Sequence, residues 1–175
     1  MTAKITTNLI LIIGLAALQA GFISGLPGTA SGLNLALVIL IFILGFNSFN
    51  SALWWALGLG WLLEIFSFLP FGILLISLAL TMVISDLLLN YFFTNRSLYS
   101  FLAMTALATL VYATAVNLLA FVLTGENLSS LAEGNFWYAI FSQLGLNLLA
   151  AFLIFYFMHF LGKNFKPVFL KNKKY

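Results

Sequence analysis

Over residues 52–72 the chain reads ALWWALGLGWLLEIFSFLPFG, an apolar run with one carboxylate, Glu64, well inside it. On a helix Ala52, Ala56, Gly60 and Glu64 follow one another at i, i+4 spacing and share one side. Three small residues on that side let a neighbouring backbone approach closely, which is how helices associate where lipid removes the hydrophobic drive between them. The same side presents Glu64 to the neighbour rather than to lipid, where a carboxylate without a partner costs at least about 2.5 kcal/mol. Phe68, Leu69, Pro70, Phe71 and Gly72 then break the helix and turn the chain. The stretch reads as a packing surface with a polar anchor.

The rest of the chain has the same character. Of its 175 residues 63% are hydrophobic and only 6% charged, with mean hydropathy +1.14. A soluble domain carries roughly 25% charged residues, so this composition is that of an integral membrane protein. The absence of cysteine excludes disulfides and thiolate metal sites. One histidine and four carboxylates leave little material for metal or acid/base catalysis, and no cofactor is expected. The net charge of +3 does not point to nucleic acid, because five of the seven basic residues lie in the last 13 positions.

The expected fold is all-α: a compact bundle of six transmembrane helices over residues 1–162, followed by a basic cytoplasmic tail over 163–175. The first apolar run, 8–26, is about long enough to span. A cleaved signal peptide competes, since Gly28, Thr29, Ala30 and Ser31 offer small residues for cleavage. The run exceeds the usual apolar core of roughly 7–15 residues and is read as a retained span. Residues 33–69 would make one helix of about 55 Å, against a hydrocarbon core of about 30 Å. Asn47, Ser48, Asn50 and Ser51 therefore mark a turn between short spans 33–46 and 51–69, with a re-entrant pair as the alternative. Further spans are expected over 71–93, 98–123 and 136–161. Six spans place Lys4, Arg96 and the tail lysines on one side, and Glu126 and Glu133 on the other. That segregation is the pattern of the positive-inside rule for an inner-membrane protein with a cytoplasmic N- and C-terminus.

The later helices carry small or polar stripes: Ser77, Thr81 and Ser85; Thr105, Thr109, Ala113 and Asn117; Ala139, Gln143, Asn147 and Ala151. Interhelical packing and hydrogen bonding is one reading of them. A polar intramembrane cavity for a small solute, with Asn117, Gln143 and Asn147, is the other. Glu64 itself has three readings: an ion or proton ligand, a buried anchor to another helix of this chain, or a contact with a partner protein. Asp86, at the opposite end of the next span, lies too far along the membrane normal to pair with it. His159, Trp54, Trp55, Trp61, Trp137, Tyr138 and Tyr156 read as interfacial or packing residues. Lys163, Lys166, Lys171, Lys173 and Lys174 should hold the tail on anionic lipid, with partner docking as the alternative.

A small-xxx-small face, a carboxylate, a Pro/Gly turn and a long apolar helix together resemble the MreD family of bacterial rod shape-determining membrane proteins. The matching residues are Gly60, Glu64, Pro70 and Gly72, with Asn95 and Arg96 closing the following helix; the likeness covers roughly 51–112 and extends loosely to Asn147. The acidic position is typically aspartate in that family and is glutamate here. The resemblance implies a non-enzymatic component of the cell-elongation machinery, associated with MreC and, through it, the MreB cytoskeleton and peptidoglycan synthases. It also implies that Glu64 and its small-residue face are a packing or partner surface. The competing function is the substrate-binding membrane subunit of an energy-coupling-factor vitamin transporter, which has a similar size and span count. Such a subunit needs an outward pocket with several polar side chains and a small-residue docking motif, for which Ala113-Thr114-Ala115 is the nearest candidate.

Overall fold

Long apolar runs with few turn residues become helices, because in lipid every backbone polar group must find its partner within the segment. The computed structural model describes residues 2–91, 97–125 and 134–162. The regular structure among them is wholly helical: α1 Thr2–Ala17, α2 Leu35–Phe46, α3 Phe49–Ile65, α4 Ile73–Tyr91, α5 Leu98–Thr124 and α6 Gly134–Gly162. α1 runs on through a π-helical turn, Leu18–Ile23, and a short 3-10 segment, Gly28–Gly32, precedes α2. Helix starts use polar caps: Asn34, Ser48 and Ser97 accept from the amides of Leu37, Ser51 and Ser100. α5 ends on Gly125 at φ +67°, a left-handed position suited to glycine.

Four segments are long and apolar enough to cross a membrane: Ile5–Ile23, Ile73–Tyr91, Leu98–Thr124 and Trp137–Met158. The expected spans 33–46 and 51–69 emerge as shorter helices of 12 and 17 residues, about 18 Å and 25 Å at the α-helical rise. α3 stops at Ile65, four residues before the expected end, because the chain tightens there. Phe66 and Ser67 donate their amides back to the carbonyls of Leu63 and Glu64.

The short α2 is the centre of the molecule. Ala36, Leu37, Val38, Leu40 and Ile41 are all fully buried, and α2 packs on α3, α4, α5 and α6. A helix that is apolar on every side is one that neighbours surround. Its C-terminal end is fixed by stacking of Phe42 and Phe46 on Phe101, with ring centroids 4.9 and 5.1 Å apart. Phe101 in turn packs against Phe155 of α6 at 5.9 Å. Gly45 makes room for that ring, since a Cβ there would lie 2.6 Å from the Phe101 ring.

The other end of α2 lies deep. Asn34, its cap, is bonded to Asn147, which stands 13 residues into α6, about 20 Å from that helix's start. α5 likewise continues 12 residues beyond Tyr112, which lies beside Asn34, a further 18 Å or about that. α5 and α6 therefore rise past the level at which α2 begins, and Leu118, Val122, Leu123 and Phe141 are exposed there.

Polarity is arranged inside out. Ser77, Thr81, Ser85, Thr105, Thr109 and Asn147 are buried, whereas Ile10, Phe22, Trp61, Leu153 and Phe157 are mostly exposed. This arrangement, with four membrane-length helices, fits a multi-pass membrane protein.

Candidate functional site

The α3–α4 hairpin turns the sequence motif into one mechanical unit. Ala52, Ala56, Gly60 and Glu64 are all buried along one side of α3. Gly60 lies directly against the α4 backbone: a Cβ there would lie 2.7 Å from the Leu75 Cα, so only glycine allows this approach. One turn further on, Glu64 is only 6% exposed. Its Oε1 accepts the amides of Gly72 at 2.7 Å and Leu75 at 3.1 Å. These are first-turn donors of α4 that no helical carbonyl can reach, and a carboxylate complements the positive end of the helix. Gly72 reaches the carboxylate by adopting φ +106°, a backbone region closed to other residues without strain. Pro70 precedes it, its carbonyl accepting from Ile73 at 3.4 Å. Of the three readings of Glu64, its contacts are those of an anchor between helices of this chain. Its second oxygen, Oε2, is buried without a hydrogen-bond partner among the described residues. The turn beyond it presents a cluster of exposed apolar side chains, Phe66, Phe68, Leu69 and Phe71.

The second polar centre is built on the start of α2. Gln19, on the π-helical turn, donates through Nε2 to the Leu33 carbonyl at 2.9 Å. Its Oε1 accepts from the Leu35 amide at 2.9 Å and the Ala36 amide at 3.4 Å. Asn34 Oδ1 accepts from the Leu37 amide at 3.0 Å. The Asn34 amide donates to Asn147 Oδ1 at 2.8 Å, and Asn147 Nδ2 donates to Thr109 Oγ1 at 3.0 Å. The Thr109 hydroxyl passes its own hydrogen to the Thr105 carbonyl at 2.7 Å. Every amide in α2's opening turn is therefore held by a neutral side chain, and α1, α2, α5 and α6 are joined through it. This is how the fold tolerates a helix beginning inside the bundle, where an unpaired amide is costly.

Beside this centre lies a cleft of about 510 Å³, bounded by Gln19, Asn34, Tyr112, Gln143 and the α3–α4 turn. The expected stripe Asn117, Gln143 and Asn147 does not form one surface. Asn147 enters the α2 centre, and Gln143 lines the cleft. Asn117 bonds back to the Ala113 carbonyl of its own helix at 2.6 Å. Ser77 and Ser85 have buried hydroxyls without partners among the described residues, while Thr81 bonds to the Ser77 carbonyl at 2.6 Å. Asp86, 13 residues into α4, accepts from Asn90 at 3.1 Å on an exposed face, far from Glu64. No three His, Asp or Glu side chains gather among the described residues. The expectations for Asn95, Arg96, Glu126, Glu133 and the tail lysines Lys163, Lys166, Lys171, Lys173 and Lys174 fall outside the described residues.

Sequence reasoning missed Gln19 and Asn34. Asn34 had a usable signal, an Asn directly before an apolar helical run, the common N-cap arrangement. Gln19 had none, because its partners lie 14–17 residues away through an irregular link. Comparison with protein-family models, with curated proteins and with solved structures finds no match.

Proposed function

We propose that this chain is a non-enzymatic scaffold of the bacterial cell-elongation machinery, of the kind its resemblance to MreD implies. In this reading all six helices lie in the inner membrane with alternating direction, both termini are cytoplasmic, and α2 is a buried half-depth element. The tail lysines rest on anionic lipid. The observation that carries the reading is the state of Glu64. The residues of the resemblance, Gly60, Glu64, Pro70 and Gly72, act together to close a hairpin, with the carboxylate bonded to backbone amides. An intramembrane carboxylate held this way sets the shape of a surface. Here that surface is the exposed turn of Phe66, Phe68 and Phe71, an apolar cluster suited to a membrane partner such as an MreC-like protein or a peptidoglycan synthase.

The reading is tested by depletion and complementation in the source cell. Loss of the protein should convert rods to round cells; the wild-type chain and Glu64→Gln should restore them, and Glu64→Lys should not. Unchanged cell shape on depletion would remove the reading. The second reading, a solute-binding subunit, is favoured by the cleft beside Gln143. Uptake of a solute abolished by a cleft substitution would support it.

A further inference from the structure

The cleft has its own chemistry, which deepens the solute-binding reading rather than the scaffold one, although Phe66 and Phe68 belong to both surfaces. At about 510 Å³ it falls within the size range of small-molecule sites. Its lining combines the polar side chains of Gln19, Asn34, Tyr112 and Gln143 with apolar ones, and the exposed rings of Phe66 and Phe68 stand at its edge. No charged side chain lines it among the described residues.

The surrounding hydrogen bonds narrow the ligand. A helix start normally invites an anion, but the opening amides of α2 are already taken by Gln19, Asn34 and Asn147. A cation finds no carboxylate, because neither Asp nor Glu lines the cleft among the described residues. What remains is neutral. Gln143 has a partly buried amide with no hydrogen-bond partner among the described residues, and the Tyr112 phenol lies beside Asn34. An amide and a phenol can each donate and accept, which suits hydroxyl groups that do both. Aromatic rings at the rim complement the apolar C–H faces of a sugar ring.

We propose that this cleft binds a neutral, hydroxyl-rich, sugar-like group, carried on a membrane lipid or free in solution, with Gln143 and Tyr112 as its polar contacts. The two sources share one chemistry and are separated by experiment. The full-length protein in phosphatidylglycerol nanodiscs is titrated with diglucosyl diacylglycerol, with maltose, and with additional phosphatidylglycerol, bound ligand being read by native mass spectrometry. Saturable binding of the glycolipid, weakened about tenfold or more by Gln143→Leu, is expected if the group is lipid-borne; a tenfold loss corresponds to about 1.4 kcal/mol, one good hydrogen bond. Maltose binding with the same sensitivity assigns the free source. Tyr112→Phe, which keeps the ring, should weaken binding in the same direction and serves if Gln143→Leu does not fold. Asn117→Leu, outside the cleft, should leave binding unchanged. Binding of neither sugar, or binding indifferent to both cleft substitutions, or phosphatidylglycerol retained equally through the same residues, would overturn the proposal.

Discussion

Replacing Glu64 separates its role as an acceptor from any need for its charge. In Glu64→Ala the amides of Gly72 and Leu75, bonded at 2.7 and 3.1 Å, lose their acceptor in a partly buried position. Each fully buried unsatisfied donor costs about 1–3 kcal/mol, so about 2–6 kcal/mol is the ceiling for this partly buried pair. Glu64→Gln behaves differently. Its carbonyl oxygen can occupy the Oε1 position and keep both bonds, and the amide nitrogen replaces Oε2, which has no partner among the described residues. The loss is then confined to one poorly satisfied amide group, about 1–3 kcal/mol. Glu64→Lys brings a charge that the α4 amides repel and is expected to prevent hairpin closure. Unfolding in mixed micelles by sodium dodecyl sulfate titration, followed by tryptophan fluorescence, measures all three. The expected order of stability is wild type, Gln, Ala, Lys. Glutamine as damaging as alanine would refute the acceptor argument, and an alanine variant as stable as wild type would remove the anchor altogether.

Other substitutions probe the same frame. Gly60→Ala places a Cβ 2.7 Å from the Leu75 Cα and should cost about 1–3 kcal/mol through overpacking; a neutral result in the same titration would mean α3 and α4 part freely. Gly72→Ala puts a side chain at φ +106° and should lose about 1–3 kcal/mol to backbone strain in the same titration; an unchanged midpoint would mean the turn relaxes without cost. Asn147→Ala and Thr109→Val remove the two ends of a 3.0 Å bond, and a double-mutant cycle should give a coupling of about 0.6–1.7 kcal/mol. Gln19→Ala should loosen the start of α2 and speed hydrogen exchange at Leu35 and Ala36, whose amides it holds.

Much of the α3–α4 hairpin was legible because its signal is periodic and local. Ala52, Ala56, Gly60 and Glu64 fall at one spacing, and the Pro/Gly turn follows at once. Even the direction of Glu64, toward a neighbouring helix, follows from the residues that share its side. The sequence could not say which neighbour, since the acceptor's partners are backbone amides and every residue has one. The polar stripe was legible only in pieces: Asn147 bridges helices, whereas Asn117 serves its own carbonyls, a choice set by rotation of α5 and α6 that no spacing records. The depth of α2 was hidden for another reason. A 12-residue apolar helix is short for a span and suits a buried core element or a re-entrant segment alike. Gln19 and Asn34 decide between these by capping its start inside the bundle.

The central claim is that this chain acts by assembling with other membrane proteins. It is tested most directly by mild cross-linking in the native membrane, purification of the tagged full-length protein, and identification of what accompanies it. The account predicts recovery of MreC-like and peptidoglycan-synthase proteins, reduced by Glu64→Lys and retained with Glu64→Gln. Recovery instead of ATPase subunits with a coupling membrane protein would contradict it and assign the chain to transport.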